Sequence, residues 1–439
     1  MKRTIVILTL VGALVLACSG MVLAQSAAPG DGEQQAAVEK SAGQAVPGRY
    51  IVVLRDDANA QNVAEEHSRR LGAEVTSVYQ HALQGYAAKI PSARLSEVNS
   101  DPRVLFVQPD RTAVAFDQTT PKGVDRIEGD LSSTQSGNGS GSDVDVDVAV
   151  IDTGINKTHP DLKVAGGRNF ASWSLSKDGN TKWEDGHGHG THVAGTVAAR
   201  DNDFGAVGVA PGARLYGVKV LSNSGTGYQS WIINGIDWVT AHANTIDVAN
   251  MSLGGSGTDG SCESNAYHMA ICNSVAAGVT YTVAAGNSNA DLRNFVPAAY
   301  DQVLTVTAEA DFNGQPGGGA AATCRSDVDE TPADFSNFTI AGSADAGHTI
   351  AAPGVCIRST WKGGTYNTIS GTSMASPHVA GTAALLLSKQ NLTTQQTMSK
   401  LRSDAATQPA SYGFTGDPNH PLTTGGSRYY GYLAYAGRY

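Results

Sequence analysis

Apolar positions in the first part of the chain form short blocks that suit strands and helices in turn. Residues 49–55 (RYIVVLR), for example, have the β-branched and aromatic composition of a strand. The predicted order is strand, helix, strand, strand, helix and strand, at residues 49–55, 59–71, 74–79, 85–90, 92–100 and 104–108. This βαββαβ order within about sixty residues predicts a small α+β domain of the ferredoxin-like type.

The rest of the chain alternates predicted strands and helices. Residues 143–151 (DVDVDVAVI) become continuously apolar in their second half, as expected for a strand of a parallel sheet that is covered on both faces. Further strands are predicted at 214–221, 247–253, 279–284 and 303–308, and helices at 189–199, 228–243 and 265–277. The alternation predicts an α/β fold with a doubly wound, mostly parallel sheet.

The first residues have the pattern of an export signal. Met1–Arg3 is basic, and residues 4–17 are apolar but too few to span a bilayer comfortably. Residues 22–24 (VLA) suit signal peptidase, which predicts a secreted protein. The alternative is acylation of Cys18, because residues 15–18 (VLAC) resemble a lipobox, and the exported protein would then be lipid-anchored.

Composition divides the remaining chain into a linker and two domains. A signal peptide at residues 1–24 is followed by residues 25–47, which contain too few large apolar side chains to form a core and predict a linker. The small domain is predicted at residues 48–116, and residues 117–439 are long enough for one large core. No apolar stretch after residue 24 is long enough to span a membrane, so the mature protein is expected to make no membrane contact.

Charge and cysteine content narrow the possible partners. The formal net charge is −10, charged residues make up 16%, and no basic run occurs, which predicts no nucleic-acid partner. Besides Cys18 the chain has four cysteines, an even number that in an exported protein predicts disulfides. Three pairings are possible; the sequence-local one, Cys262 with Cys272 and Cys324 with Cys356, is favoured over the others and over free thiols.

Three segments carry the candidate chemistry. Residues 371–381 (GTSMASPHVAG) lead into an apolar helical run, which places the hydroxyl of Ser373 at a helix N-terminus, where unpaired N–H groups favour developing negative charge. Asp152 follows the apolar strand, at the carboxyl end where open α/β sheets place their sites. Residues 187–196 (HGHGTHVAGT) supply imidazoles that can accept a hydroxyl proton near neutral pH. Together these segments predict a serine nucleophile with a histidine base and an orienting carboxylate.

These segments resemble the catalytic motifs of subtilisin-like serine peptidases (subtilases), in which the chain order is also Asp, His, Ser. The resemblance implies a serine endopeptidase with Asp152, His189 and Ser373 as catalytic residues, which hydrolyses peptide bonds through an acyl-enzyme. Asn287, in VAAGN, is similar to the family residue whose side-chain amide donates to the oxyanion, together with the N–H of Ser373.

Two glycine-containing segments resemble the backbone that lines the subtilase substrate groove. Their members are Ser252, Leu253 and Gly254, and Ala284, Ala285 and Gly286. A peptide is expected to pair with them as an added strand, which implies broad recognition of protein or peptide substrates. Residues 287–297 resemble the proteinase K branch, in which Phe295 would favour apolar or aromatic P1 residues. The alternative for this side chain is ordinary packing.

Residues 48–116 resemble the inhibitory propeptide of subtilases, including the closing segment 104–110 (VLFVQPD). The resemblance implies a zymogen whose propeptide is an intramolecular inhibitor, with its last strand in the substrate groove. Autoprocessing is expected within residues 112–118, and the mature enzyme is expected to be a monomer. An unrelated interaction domain is the alternative, because this fold serves many functions.

A structural calcium site is implied by resemblance to the bacterial subtilisin branch. The expected ligands are the side chains of Asp161 and Asn202 and the backbone carbonyls of Arg200, Phe204 and Ala206, all hard oxygens as calcium requires. The family's additional ligand from the mature N-terminus has no clear counterpart in the sequence. Solvated loop carboxylates are the alternative interpretation.

Two other functions fit parts of the pattern. His187, His189 and His192 approximate the spacing of a binuclear metallo-hydrolase motif, but Thr191 stands where that motif has an aspartate, and such sites need carboxylate ligands. The subtilase resemblance instead implies a structural role for His192, and His187 replaces an asparagine that is common in the family. An inactive binding module would need a broken triad, whereas all three motifs are intact.

Overall fold

The structure is a computed structural model that describes residues 45–111, 118–139, 143–172, 180–423 and 425–439. The chain divides into two compact units between Ala115 and Phe116. The predicted signal peptide, most of the predicted linker, and residues 112–117 of the predicted cleavage region lie outside the described residues. Within the described ranges, each helix is too short or too polar to cross a membrane.

The first unit has the predicted α+β arrangement. Its elements are β1 (Ala45–Leu54), α1 (Ala60–Leu71), β2 (Glu74–Tyr79), β3 (Gly85–Lys89), α2 (Leu95–Asn99) and β4 (Val104–Arg111). The strands form an antiparallel sheet in the order β2-β3-β1-β4. The side chain of Asn59 accepts from the N–H of Asn62 and caps α1, so the helix begins one residue later than predicted. β1 begins at Ala45, inside the segment predicted as linker.

The second unit contains the predicted alternation of strands and helices. Its helices are α3 (Lys122–Arg126), α4 (His189–Ala198), α5 (Gln229–Ala241), α6 (Ala266–Ala276), α7 (Thr372–Lys389) and α8 (Thr394–Ala406). Its strands are β5 (Gln118–Thr119), β6 (Asp147–Asp152), β7 (Val164–Asn169), β8 (Gly205–Ala206), β9 (Arg214–Lys219), β10 (Val248–Met251), β11 (Gly255–Ser256), β12 (Thr280–Ala284), β13 (Phe295–Val296), β14 (Leu304–Ala310), β15 (Thr331–Pro332), β16 (Thr339–Ile340), β17 (Thr349–Pro353), β18 (Ile357–Trp361), β19 (Thr365–Ile369) and β20 (Arg428–Tyr429).

The large sheet is mostly parallel and has helices on both faces. Its strand order is β15-β14-β12-β10-β6-β9-β7, and β17 also pairs with β14; of these pairings only the short β14–β15 contact is antiparallel. Val148 and Val150 of β6 face one apolar core with α4 and α7, whereas Ala149 and Ile151 face a second core with α5 and α6. The doubly wound α/β prediction is therefore confirmed, and both faces of the central strand are covered.

Several elements were not predicted from the pattern. β7 (VAGGRN) contains two glycines in place of an apolar run, and the β18–β19 hairpin (IRSTW and TYNTI) is largely polar. The predicted strand at 143–151 begins only at Asp147, after its alternating acidic part. α8 is likewise polar and begins with a capping box formed by Thr393 and Gln396.

Both disulfides join cysteines that are close in sequence. Cys262 is bonded to Cys272, and Cys324 is bonded to Cys356, with sequence separations of 10 and 32 residues. The favoured pairing is thus confirmed. The first bond ties a loop to α6, and the second joins a loop to the turn between β17 and β18.

Candidate active site

Asp152 and His189 meet at the carboxyl end of the central strand. Asp152 ends β6 and is fully buried, and His189 begins α4. Nδ1 of His189 lies 2.8 and 3.0 Å from the two carboxylate oxygens of Asp152. Burial disfavours the imidazolium, but the charge of Asp152 and the hydrogen bond to it outweigh burial and raise the pKa of His189 above its ordinary value. Because Nδ1 is bonded to Asp152, Nε2 is the ring atom left to exchange a proton.

A residue that sequence reasoning missed, Asp185, holds the start of α4. Its Oδ2 accepts from the N–H and the hydroxyl of Thr191 at 2.9 and 2.6 Å, and its Oδ1 accepts from the hydroxyl of Thr153 at 2.9 Å. Thr153 in turn accepts from the N–H of Gly190 at 2.9 Å. These bonds satisfy N–H groups in the first turn of the helix that bears the imidazole. The sequence signal that could have identified Asp185 is its position, as an acidic residue shortly before the predicted helix start at residue 189.

Ser373 is the one partly exposed residue in a buried stretch of α7. All the other residues from 372 to 386 are buried. The Ser373 hydroxyl donates to the carbonyl oxygen of Ser252 at 3.2 Å rather than to His189. Catalytic hydrogen bonds are often long or misaligned before substrate binds, so this orientation is compatible with a nucleophile. Pro377 is the sixth residue of α7, beyond its first turn, and because it has no N–H it cannot donate to the carbonyl of Ser373.

A buried polar network joins α7 to β10 and β12. The hydroxyl of Ser252 donates to the carbonyl of Ser373 at 2.7 Å and accepts from Nδ2 of Asn250 at 2.9 Å. Oδ1 of Asn250 accepts from the hydroxyls of Thr282 and Ser376 at 3.0 and 2.8 Å. Since Asn250 is fully buried, satisfied hydrogen bonds are what make its polar side chain tolerable there. The network fixes the N-terminus of α7 against the sheet.

Asn287 lies beside that N-terminus with a defined amide orientation. Its Oδ1 accepts from the N–H and the hydroxyl of Thr372 at 2.9 and 2.8 Å, which leaves Nδ2 free to act as a donor. The Thr372 hydroxyl also accepts from the N–H of Gly286 at 3.0 Å. The buried Asn337 supports the same loop, because its Nδ2 donates to the carbonyl of Ala285 at 2.9 Å. Neither Thr372 nor Asn337 was predicted.

Ser373 and Asn287 line a pocket of about 290 Å³. Five of the six predicted substrate-segment residues also line it, namely Leu253, Gly254, Ala284, Ala285 and Gly286. Phe295, which is partly exposed, contributes to the same pocket, so it is not simply a core aromatic. None of the described residues that line this pocket is charged.

A second pocket of about 440 Å³ adjoins the first. Its lining includes His189, His187 and Ser252 together with apolar side chains such as Leu221 and Ile232. Leu253 and Gly254 border both pockets. The predicted base and the predicted nucleophile therefore lie on two sides of one short backbone segment.

His192 does not point to a metal centre. Its Nε2 atom donates to the carbonyl oxygens of Ile357 and Asn367, at 2.9 and 3.1 Å, and the residue is fully buried. Burial lowers the pKa of His192 to about 3, so the ring stays neutral. A nitrogen that carries a proton cannot bind a metal, and this side chain instead ties α4 to the β18–β19 hairpin. The structural role expected for His192 fits this geometry.

Known proteins share both the sequence and the architecture. Residues 143–432 match the model of the subtilase family, and residues 49–114 match the model of peptidase inhibitor I9. The chain belongs to the subtilase family. It is a serine endopeptidase of that family with an I9 domain ahead of the catalytic domain.

Two relatives and one solved structure illustrate the likeness of this subtilase. It is 37% identical to subtilisin E of Bacillus subtilis (strain 168) over 363 residues, which cover 81% of this chain and 85% of the relative. It is 36% identical to alkaline serine exoprotease A of Vibrio alginolyticus over 369 residues, covering 79% of this chain and 62% of the relative. A crystal structure of a cold adapted subtilisin-like serine proteinase is 35% identical, with a TM-score of 0.54, and the match covers 72% of this chain and 97% of that one.

The predicted calcium ligands of this subtilase surround a buried carboxylate. Asp161 is fully buried, and its oxygens accept from Nδ2 of Asn202 at 3.0 Å, the N–H of Ala206 at 3.1 Å and the hydroxyl of Tyr366 at 3.0 Å. Burial raises the pKa of this carboxyl to about 6, and the hydrogen bonds offset only part of that effect. All three hydrogen-bond partners are neutral donors, so an ionised Asp161 would supply a negative charge and a hard oxygen of the kind that calcium binds.

Gln118 lies at the same site and was not placed by sequence reasoning. Its strand, β5, pairs in parallel with β8, and its Nε2 atom donates to the carbonyl oxygen of Arg200 at 2.8 Å. The amides of Gln118 and Asn202 both direct nitrogen towards oxygen acceptors here. Turning the Gln118 amide over would present an oxygen instead, whereas turning the Asn202 amide would also break the bond that its Oδ1 accepts from the N–H of Phe204 at 3.3 Å. Asp161 and, with its amide turned, Gln118 would thus offer oxygens to a cation near the start of the catalytic unit.

Proposed function

We propose that this subtilase is secreted as an autoprocessed zymogen and cleaves peptide bonds with Asp152, His189 and Ser373. The observation that carries the proposal is the direct hydrogen bond between His189 and Asp152. The pocket of His189 shares the segment 253–254 with the pocket of Ser373, which lies at the N-terminus of the buried helix α7. A nucleophile, a base and an orienting carboxylate are the groups that acyl transfer requires.

Acylation begins when the Ser373 hydroxyl turns from the Ser252 carbonyl towards Nε2 of His189. The imidazole takes the hydroxyl proton as Oγ bonds to the substrate carbonyl carbon, and Asp152 stabilises the imidazolium. The carbonyl oxygen becomes an oxyanion that accepts from Nδ2 of Asn287 and from the N–H of Ser373. Nδ2 is available because Thr372 already occupies the amide oxygen.

The peptide bond then breaks as His189 gives its proton to the leaving amine. An ester on Ser373 remains. Water next gives a proton to His189 and adds to the ester carbonyl, and the same two donors hold the second oxyanion. When this intermediate collapses, the proton returns to Oγ of Ser373 and the carboxylic acid product leaves, so the enzyme is restored.

Specificity is proposed to come from main-chain pairing and one uncharged pocket. The substrate backbone would pair with residues 252–254 and 284–286 as an added strand, which accepts many sequences. The P1 side chain would enter the pocket of about 290 Å³, where Phe295 and Val296 offer apolar surface. An uncharged lining favours apolar or aromatic P1 residues, because a buried charge would have no partner there.

The remaining proposals concern export, processing and calcium. A signal peptide at residues 1–24 would direct secretion, and the I9 domain would inhibit the enzyme until cleavage within residues 112–118. The mature enzyme would act as a monomer. When bound, calcium would supply a structural cross-link, held by Asp161, Asn202 and Gln118 and by the carbonyls of Arg200, Phe204 and Ala206.

A serine-directed phosphonylating reagent should modify Ser373 and abolish hydrolysis, because only an activated serine reacts rapidly with such a reagent. A chelator should act slowly, through loss of stability. Mass spectrometry of the labelled peptide and residual hydrolysis of a peptide substrate measure both effects. Immediate and complete loss of activity with chelator at low temperature, restored by zinc and with no effect of the reagent, would instead establish a metallo-hydrolase.

Asp161→Ala should leave turnover near normal at low temperature but lower the midpoint of thermal inactivation and remove most of its response to added calcium. A ligand that binds only the folded state stabilises it by about 2.7 kcal/mol at a hundredfold excess over its Kd. The variant loses the carboxylate among the proposed ligands, which is buried. The measurement is the inactivation midpoint as a function of calcium concentration.

Asp203→Asn is the matched control for this experiment. Asp203 lies in the same loop, is exposed and has a φ of 67°, a conformation that asparagine tolerates. The control removes an acidic charge without removing a proposed ligand, so its midpoint should rise with calcium as the parent's does. An Asp161→Ala enzyme with an undiminished calcium response would place the ion elsewhere.

A further inference from the structure

We propose that Asp301, Asp345 and His348 bind one zinc ion at the edge of the sheet opposite the catalytic residues. One ligand atom from each residue lies within 4.8 Å of the other two. Asp301 and His348 line an open pocket of about 310 Å³. This site is separate from the proposed calcium site and shares no residue with it.

His348 is the observation that points to an ion. Only 5% of its side chain is exposed, and neither ring nitrogen has a hydrogen-bond partner. A buried imidazole without partners is costly, because each polar atom gives up its hydrogen bonds to water. Such a group in a native protein calls for an explanation, and a bound ion is one.

The distances around His348 suit a shared ion better than direct hydrogen bonds. Its Nε2 atom lies 3.7 Å from a carboxylate oxygen of Asp301 and 3.7 Å from one of Asp345. Both separations are too long for hydrogen bonds. They are close to the roughly 3.3–3.6 Å that separates two ligands of a tetrahedral zinc ion with bonds of about 2.0–2.2 Å.

The fold brings the three donors together at the amino ends of two neighbouring strands. Asp345 and His348 begin and end one 3₁₀ turn, Asp345–His348, that leads directly into β17. Asp301 lies just before β14, which pairs with β17 in parallel. Because β6 runs parallel to these strands within the same sheet, Asp152 lies at the opposite, carboxyl edge. The ion would therefore stabilise the fold rather than take part in hydrolysis.

The donor set selects zinc over calcium. Zinc binds both imidazole nitrogen and carboxylate oxygen, whereas calcium takes oxygen ligands only. Asp345 is partly buried and Asp301 is about half exposed, so water can reach the fourth position of a tetrahedral ion. Arg402 also lines the pocket, but its guanidinium donates to the carbonyls of Ala346 and Thr349. The two carboxylates together carry more negative charge than the one guanidinium offsets, which favours a divalent cation.

The test is a calorimetric titration of the full chain with zinc chloride. All samples carry Ser373→Ala to prevent self-digestion, are freed of metal on a chelating resin, and contain excess calcium to occupy an oxygen-only site. We expect one zinc per chain. His348→Ala and Asp301→Asn should each weaken binding at least tenfold, since even residues that merely orient a zinc ligand are worth about 10- to 100-fold.

Controls separate this site from other histidines. His420→Ala removes an exposed histidine and should bind zinc as the parent does. Zinc should also raise the thermal unfolding midpoint of the parent and of His420→Ala but not that of the two site variants. If His348→Ala fails to fold, Asp301→Asn decides whether zinc binds at this site. This variant should fold, because a half-exposed side chain is replaced by one of equal size. Absence of zinc uptake, or uptake that survives Asp301→Asn but is lost in His187→Ala, would overturn the proposal.

Discussion

Ser373→Ala is expected to accumulate as the uncut precursor and to lose about 10⁶-fold in kcat, the scale known for loss of the nucleophile in a subtilisin. A methyl group cannot form the acyl-enzyme, so self-processing and hydrolysis of added substrate should fail together. The side chain is partly exposed within a buried helix, so the smaller residue should not disturb packing. Electrophoretic mobility and intact mass report processing, and a chromogenic peptide reports turnover.

Ser388→Ala is the matched control, because Ser388 lies in the same helix but lines neither pocket, and its hydroxyl donates to the carbonyl of Leu385 at 2.7 Å. This variant should be processed and active. Both variants need a host that lacks other proteases. A Ser373→Ala chain that matures normally in such a host would refute self-processing, and one that still hydrolyses peptides would refute the assignment of the nucleophile.

Local patterns predicted the parts of this structure that depend on local physics. The apolar run before Asp152 predicts a strand buried on both faces, and β6 has one core on each side. The motifs around His189 and Ser373 each place one side chain at the first turn of a helix, which follows from neighbouring residues alone. The starts of α1, α4, α5 and α6 were each predicted to within one residue, although a capping side chain is present only at Asn59 and Asn265.

The supporting residues could not be predicted in this way, because their partners are distant in sequence. Asn250 and Ser376 are 126 residues apart, and Thr372 and Asn287 are 85 residues apart. In each pair, the residues next to one partner in sequence give no sign of the other partner, because only the folded sheet brings the two segments together. β7 was missed for a different reason: it pairs through its backbone with β9 and needs no apolar run of its own.

Asp152→Asn is expected to lower kcat about 10⁴-fold, a typical cost of this change in a serine protease triad. The structure supplies a specific reason. Oδ1 of Asp152 accepts from the N–H of Thr153 at 2.6 Å, and Oδ1 and Oδ2 lie 2.8 and 3.0 Å from Nδ1 of His189, so an asparagine that keeps its oxygen at Thr153 would place its NH₂ group at the Oδ2 position, beside Nδ1. When this NH₂ group donates to Nδ1, the ring proton sits on Nε2. In that tautomer the imidazole cannot take the proton of Ser373.

The pH dependence of the residual activity provides an independent measurement of the same change. In the parent, Asp152 raises the pKa of His189, and activity is lost as the pH falls through that pKa, because an imidazolium cannot act as a base. Without the carboxylate charge the pKa falls, so the acid limb of kcat/KM should move to lower pH. The double variant Ser373→Ala, Asp152→Asn should have nearly the same kcat as Ser373→Ala alone, since triad residues act as a unit. An acid limb that stays in place in Asp152→Asn would show that another group controls the base.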